Sequence, residues 1–145
     1  MDPLSITVSA VALLSACLKV SVELRQFRHE AAEARTTVTA MLSDVKALRD
    51  VLQSLEETFE VLDSQPSTGH IGTHWKNLAR CLQEGRGTLE KFEELLKGVN
   101  KEVAILDSAR RQLRVKSVAE QIATFRQQVQ TYKDAIQLSL QTISL

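Results

Sequence analysis

A few residues in this 145-residue chain have types and spacings that could do chemistry. His70 and His74 stand four apart, the spacing that sets two imidazoles on one helical face for a metal ion. They fall in or beside the run Pro66-Ser67-Thr68-Gly69, and the nearest carboxylate is Asp63. A zinc site needs three or four ligands, so these two are read as loop histidines and no metal is expected. His29, Glu30 and Glu33 are acid–base types, but their setting is that of a solvated helix end. Cys17 and Cys81 each sit on an apolar helical pattern, which suits buried free thiols in a reducing compartment. There is no strained serine elbow, no Cys–His pair and no Gly-rich phosphate loop, and G-x-x-x-x-G-K-[ST] occurs nowhere. The chain is therefore not expected to be an enzyme or to hold a cofactor.

The densest cationic run is Arg110-Arg111-Gln112-Leu113-Arg114-Val115-Lys116. Arg110, Arg111, Arg114 and Lys116 are candidates for anionic lipid headgroups, each charge being worth about 1 kcal/mol near such a surface. The competing reading is a solvated junction beside a helix C-terminus, where cations are favoured. Formal net charge is zero, and neither a basic face nor base-reading residues stand out, so nucleic acid is not an expected partner.

The elements that must position these residues are helices. Glycine, proline and aromatics are scarce, with five glycines and two prolines, and no repeat or low-complexity tract is evident. The first helix is expected over residues 4–29, with Asp2 as N-cap and Pro3 at the first helical position. It is apolar almost all round: Leu4, Ile6, Val8, Val11, Leu13, Leu14, Leu18, Val20 and Val22. A thin stripe of Ser5, Ser9, Ala12, Ala16, Lys19, Glu23 and Gln26 is small or polar, suiting close packing in a bundle or helix contact in lipid. Such a helix is either the centre of a core or a segment that meets lipid. With Asp2 as the only early charge it lacks the basic start of a secretory signal. As a span it is close to the roughly 20 residues needed, but Lys19 interrupts it.

A turn is expected near residues 28–34. The second helix then carries a heptad seam of Val38, Met41, Val45, Leu48, Leu52, Leu55, Phe59 and Leu62. It stops at the loop over 63–73, whose Thr73 is a candidate cap for the third helix. That helix keeps Trp75, Leu78, Leu82, Leu89, Phe92, Leu96 and Val99 in one phase, with Gly85 at an apolar position. It is expected to run unbroken through Gly85, with a close helix approach there, and to end at Gly98 and Asn100. Residues 101–114 are expected as a short helix or helical connection. The last helix is expected to start at Ser117, with Glu120 completing a capping box, and to bury Val118, Ile122, Phe125, Val129, Tyr132, Ile136, Leu140 and Ile143. The fold class expected is all-α: a four-helix bundle with an additional short helix and a strongly apolar N-terminal helix, one domain over 1–145. The pattern runs on to Leu145, as expected where a helix leads into a further domain.

The opening Met1-Asp2-Pro3-Leu4-Ser5-Ile6 and the small-apolar run after it resemble the HeLo-like N-terminal domain of filamentous-fungal STAND, or NOD-like, receptors. The likeness continues through Leu48, Leu52 and Leu55, then Leu78, Cys81, Leu82 and Leu89, to the helix over 116–145. The resemblance implies kinship with HeLo domains and with the four-helix domain of mixed-lineage kinase domain-like protein. It implies a cell-death effector of innate immunity and heterokaryon incompatibility, joined in the same chain to a NACHT or NB-ARC-type nucleotide-binding module. Such a domain is cytoplasmic at rest; on activation it homo-oligomerises, moves to the membrane and permeabilises it through its N-terminal helix. The matching lipid-contacting residues would be Leu4, Ile6, Val8, Val11, Leu13, Leu14 and Leu18. A signalling adaptor or dimerisation module without membrane activity is the alternative.

Overall fold

The computed structural model describes residues 3–62 and 72–144, with side chains over 6–59 and 75–142. Four long helices account for nearly all of it: α1 (Pro3–Glu30), α2 (Arg35–Leu62), α3 (Gly72–Val103) and α4 (Ser108–Ser144). A single 3-10 turn, Ala32–Ala34, reverses the chain between α1 and α2, within the expected segment. Pro3 opens α1, where its missing N–H costs no hydrogen bond. Asp2, the loop over 63–71 with His70, and Leu145 lie outside the described residues, as do the side chains of Leu4, Thr73, His74 and Ile143.

The heptad seams become the core. Val38, Met41, Val45, Leu48, Leu52, Leu55 and Phe59 are buried on α2, as are Trp75, Leu78, Leu82, Leu89, Phe92, Leu96 and Val99 on α3. On α4, Val118, Ile122, Val129 and Ile136 are buried, while Phe125, Tyr132 and Leu140 pack partly covered against them. Phe92 stacks on Phe125 with ring centroids 4.3 Å apart, joining α3 to α4. α1 contributes Ile6, Ala10, Leu13, Cys17, Val20, Leu24, Phe27 and, just past its end, Ala31, spaced alternately by four and three.

The packing order follows from these faces. α1 lies against α2 and α3, and α4 against the same two, which leaves α1 opposite α4 and α2 opposite α3 across the core. Leu13 meets Gly85, and Glu23 meets Asn100, so α1 and α3 run parallel. α2 returns antiparallel to α1, with Arg28 donating to Thr39 at 3.4 Å. α4 returns antiparallel to α3, with Thr88 bonded to Tyr132 and Arg114 to Glu102. The connection over 63–71 therefore joins two helices that face each other diagonally.

Four sequence expectations are corrected. Gly98 and Asn100 do not end α3; they lie within it, because Val99 and Val103 continue its buried seam for another turn. No separate helix forms over 101–114. The chain turns over 104–107 and enters α4 directly, with the Asp107 carboxylate accepting the Arg110 N–H at 3.0 Å. Ser117 is consequently two turns inside α4 and caps nothing. Thr73 sits inside the first turn of α3, which begins at Gly72. The unbroken passage of α3 through Gly85 is observed. A Cβ there would stand 3.4 Å and 3.6 Å from the Leu13 methyls and 3.6 Å from the Tyr132 ring.

Candidate functional site: the two faces of the first helix

α1 has two unlike faces because it is apolar all round but covered on one side only. Its inner stripe fills the core. Its outer stripe is Val8, Val11, Ser15, Leu18 and Val22, again spaced by three and four. Val8 is 62% exposed, Val11 50%, Leu18 47% and Val22 60%. Residues at this spacing share one helical face, so the outer stripe is continuous for about 20 Å. The stretch Ile6–Glu30 has the length and composition of a membrane-crossing helix; its apolar 18-residue window has mean hydropathy 1.7, and 39% of that window is buried.

The seven candidate lipid-contacting residues thus divide. Ile6 and Leu13 are fully buried, Leu14 is half-buried against the core, and Val8, Val11 and Leu18 are exposed. The structure does not bring all of them to one surface while the core is intact.

A third, small-residue edge of α1 meets α3. Ala12, Ser15, Ala16 and Lys19 line a shallow groove with Arg86, Glu90, Glu93 and Glu94 of α3. Short side chains let the two helices approach there, which explains most of the thin stripe seen in the sequence. At its far end the Asn100 side chain donates to the Glu23 carbonyl at 3.2 Å and to the Glu23 carboxylate at 2.9 Å. On the same stretch of α3, the neighbouring Glu93 carboxylate, with Glu23 and Glu94 adding, raises the affinity of Lys97 for its proton.

The cationic run divides as well. Arg114 is held by Glu102 at 2.8 Å, and Arg110 stands 3.7 Å from the Asp107 carboxylate that caps α4. Arg111 is half-buried and Lys116 is exposed. Two of the four candidate headgroup residues thus have carboxylate partners, and the Arg114–Glu102 pair bridges α4 to α3.

A second cationic group was not singled out in the sequence. Arg25, Arg28, His29 and Arg35 line one open groove where α1 passes into α2. Arg25 and His29 continue the outer stripe of α1 by the same spacing, 22 to 25 to 29, so the signal was present as phase. It was missed because the four residues belong to two helices and are not consecutive.

Both cysteines are free and buried. Burial pushes the Cys17 thiol up to about 12, against a small opposing pull from Arg49. It pushes Cys81 up to about 11, with Glu84 adding to the rise. Cys81 also donates to the Tyr132 carbonyl at 3.7 Å. Neither is a poised thiolate. Among the described residues no group of three metal-ligating side chains occurs.

The family model for the N-terminal region of pigment biosynthesis cluster protein PigL matches residues 1–145. The chain belongs to that family, PigL_N. The PigL_N match covers every helix described above, including both faces of α1 and the two cationic groups. No curated protein and no solved structure matches the chain.

Proposed function

We propose that this PigL_N domain is a membrane-permeabilising effector, resting as the folded four-helix domain and acting when α1 leaves it. The observation that carries the reading is α1 itself: 25 residues apolar enough to cross a bilayer, which keep Val8, Val11, Leu18 and Val22 exposed along one face in the fold. A helix needed only as a core element has no use for Val8, Val11, Leu18 and Val22 on its solvent side. Released, α1 would present Leu4, Ile6, Val8, Val11, Leu13, Leu14 and Leu18 to lipid together. Lys19 lies near the middle of the Ile6–Glu30 stretch, so full spanning carries a cost of about 2.5–3.5 kcal/mol that self-association or a tilted, partial insertion would reduce.

The resemblance to HeLo-like domains of fungal STAND receptors supports the same reading, and the match to a fungal pigment-cluster N-terminal family is compatible with that resemblance. On this reading the domain is the four-helix bundle of a longer receptor, cytoplasmic at rest, that homo-oligomerises at the membrane on activation. Catalysis, cofactors and nucleic acid play no part.

Dye release from anionic vesicles tests it, with the intact chain beside a version lacking residues 1–8 and circular dichroism confirming that both are helical. The expected result is leakage from the intact chain alone. Absence of leakage from both, with the intact chain a stable dimer in solution, would assign α1 to the core only and make the domain an adaptor.

A further inference from the structure

The exposed apolar stripe of α1 does not end in water-neutral residues; it runs into a cluster of cations. In one phase along the outer face stand Val8, Val11, Ser15, Leu18 and Val22, then Arg25 and His29. Arg28 and Arg35 flank the last two, completing one groove. Among the described residues no ion pair engages Arg25, Arg28 or Arg35, in contrast to Arg110 and Arg114. The two nearby carboxylates are Glu30, which accepts from Gln26 at 2.9 Å, and the exposed Glu33.

We propose that the folded domain docks on an anionic bilayer through the outer face of α1, with Val8, Val11, Leu18 and Val22 entering the headgroup region and Arg25, Arg28 and Arg35 binding lipid phosphates, before any helix leaves the core. This rests on the membrane reading above and adds a resting-state contact to it. The occupant follows from size and charge. The four exposed side chains form a stripe one helix face wide, so a protein interface of ~800 Å² per partner would have to draw much of its area from charged neighbours such as Lys19 and Arg25. A narrow apolar stripe suits shallow insertion. Lipid binding of this kind becomes firm when an apolar contact and a cationic patch act together, and here they are continuous. Arginine is the residue suited to the phosphate, offering a planar fork of donors. The helix would lie in the plane of the surface, its inner face still filled by the core.

Flotation of the chain with vesicles of mixed phosphatidylserine and phosphatidylcholine tests this, the same vesicles carrying a trapped dye. The intact chain should float with these vesicles and not with phosphatidylcholine alone. Arg25→Gln with Arg35→Gln should weaken binding about 30-fold, and Val11→Gln with Leu18→Gln about tenfold or more. Both pairs lie on the exposed face, so helix content should be unchanged and melting should shift little, and circular dichroism checks this. Arg110→Gln with Arg114→Gln, whose charges are already met by Asp107 and Glu102, should change binding less than about threefold. The proposal is overturned if no binding occurs, if binding ignores Arg25 and Arg35, or if Arg110 and Arg114 matter as much. Binding that depends on Arg25 and Arg35 without leakage supports docking and removes the permeabilising reading. Leakage that is indifferent to those arginines does the reverse.

Discussion

At the scale of the residue, the clearest constraints are one glycine and one thiol. Gly85 of α3 receives a large side chain of α1, Leu13. A methyl group at 3.4–3.6 Å from Leu13 and Tyr132 is in ordinary contact, and alanine is a better helix former than glycine by about 1 kcal/mol. Gly85→Ala should therefore raise the urea midpoint slightly. Gly85→Leu has no room and should lower stability by about 1–3 kcal/mol, as overpacking does. The thiol is Cys17. Its proton is held far more tightly in the fold, up to about 12, than the ordinary value of 9.0. The folded state thus binds more protons than the unfolded one between those values, and stability must fall as pH rises through that window. At pH 10 the loss from Cys17 is about 1 kcal/mol. The difference in urea stability between pH 8 and pH 10 should shrink by that amount in Cys17→Ala, whatever other groups contribute.

At the scale of the element, α1 is held by its inner seam and by one polar clasp. Asn100 spends its side-chain amide donors on Glu23, bridging α3 to the C-terminal part of α1. Asn100→Ala removes both bonds and leaves the Glu23 carbonyl without that donor, a cost of about 1–2 kcal/mol. If α1 release is the active step, the variant should leak vesicles at lower concentration than the wild type while remaining helical. An unchanged leakage threshold would place the restraint elsewhere. The seams of α2, α3 and α4 were legible because their polar and apolar residues alternate with helical period; Leu48, Leu82 and Val129 could be placed inside from spacing alone. α1 was not, because Val8 and Leu13 look alike in a helix apolar on every side, and only the neighbours decide which is covered. The start of α4 was misplaced for a related reason. Ser117 and Glu120 form a plausible cap, but Asp107 offers one ten residues earlier, and the buried Val115 extends the seam back toward it.

At the scale of the molecule, charge and apolar surface are gathered rather than dispersed. The turn between α1 and α2 and the turn between α3 and α4 lie at the same end, since α1 and α3 run parallel. That end carries Arg25, Arg28, Arg35, Arg110, Arg111, Arg114 and Lys116, while α2 carries Glu56 and Glu57 toward the other. A chain of zero net charge is thereby polar along its length, and the exposed stripe of α1 ends at the cationic end, in Arg25 and His29. Docking and insertion then become separable steps, and a cross-link can separate them. Cysteines substituted for Glu23 and Asn100 would face each other across the α1–α3 contact, where a short bis-maleimide can bridge them. Cys17 and Cys81 should not compete, because both are buried and burial holds their thiols protonated near neutral pH. The bridged protein keeps the outer face of α1 free but cannot release the helix. It should float with anionic vesicles as the unbridged protein does, yet release no dye. Bridged protein that still leaks would show that α1 does not have to part from α3, and the pore would then have to be built by intact four-helix units.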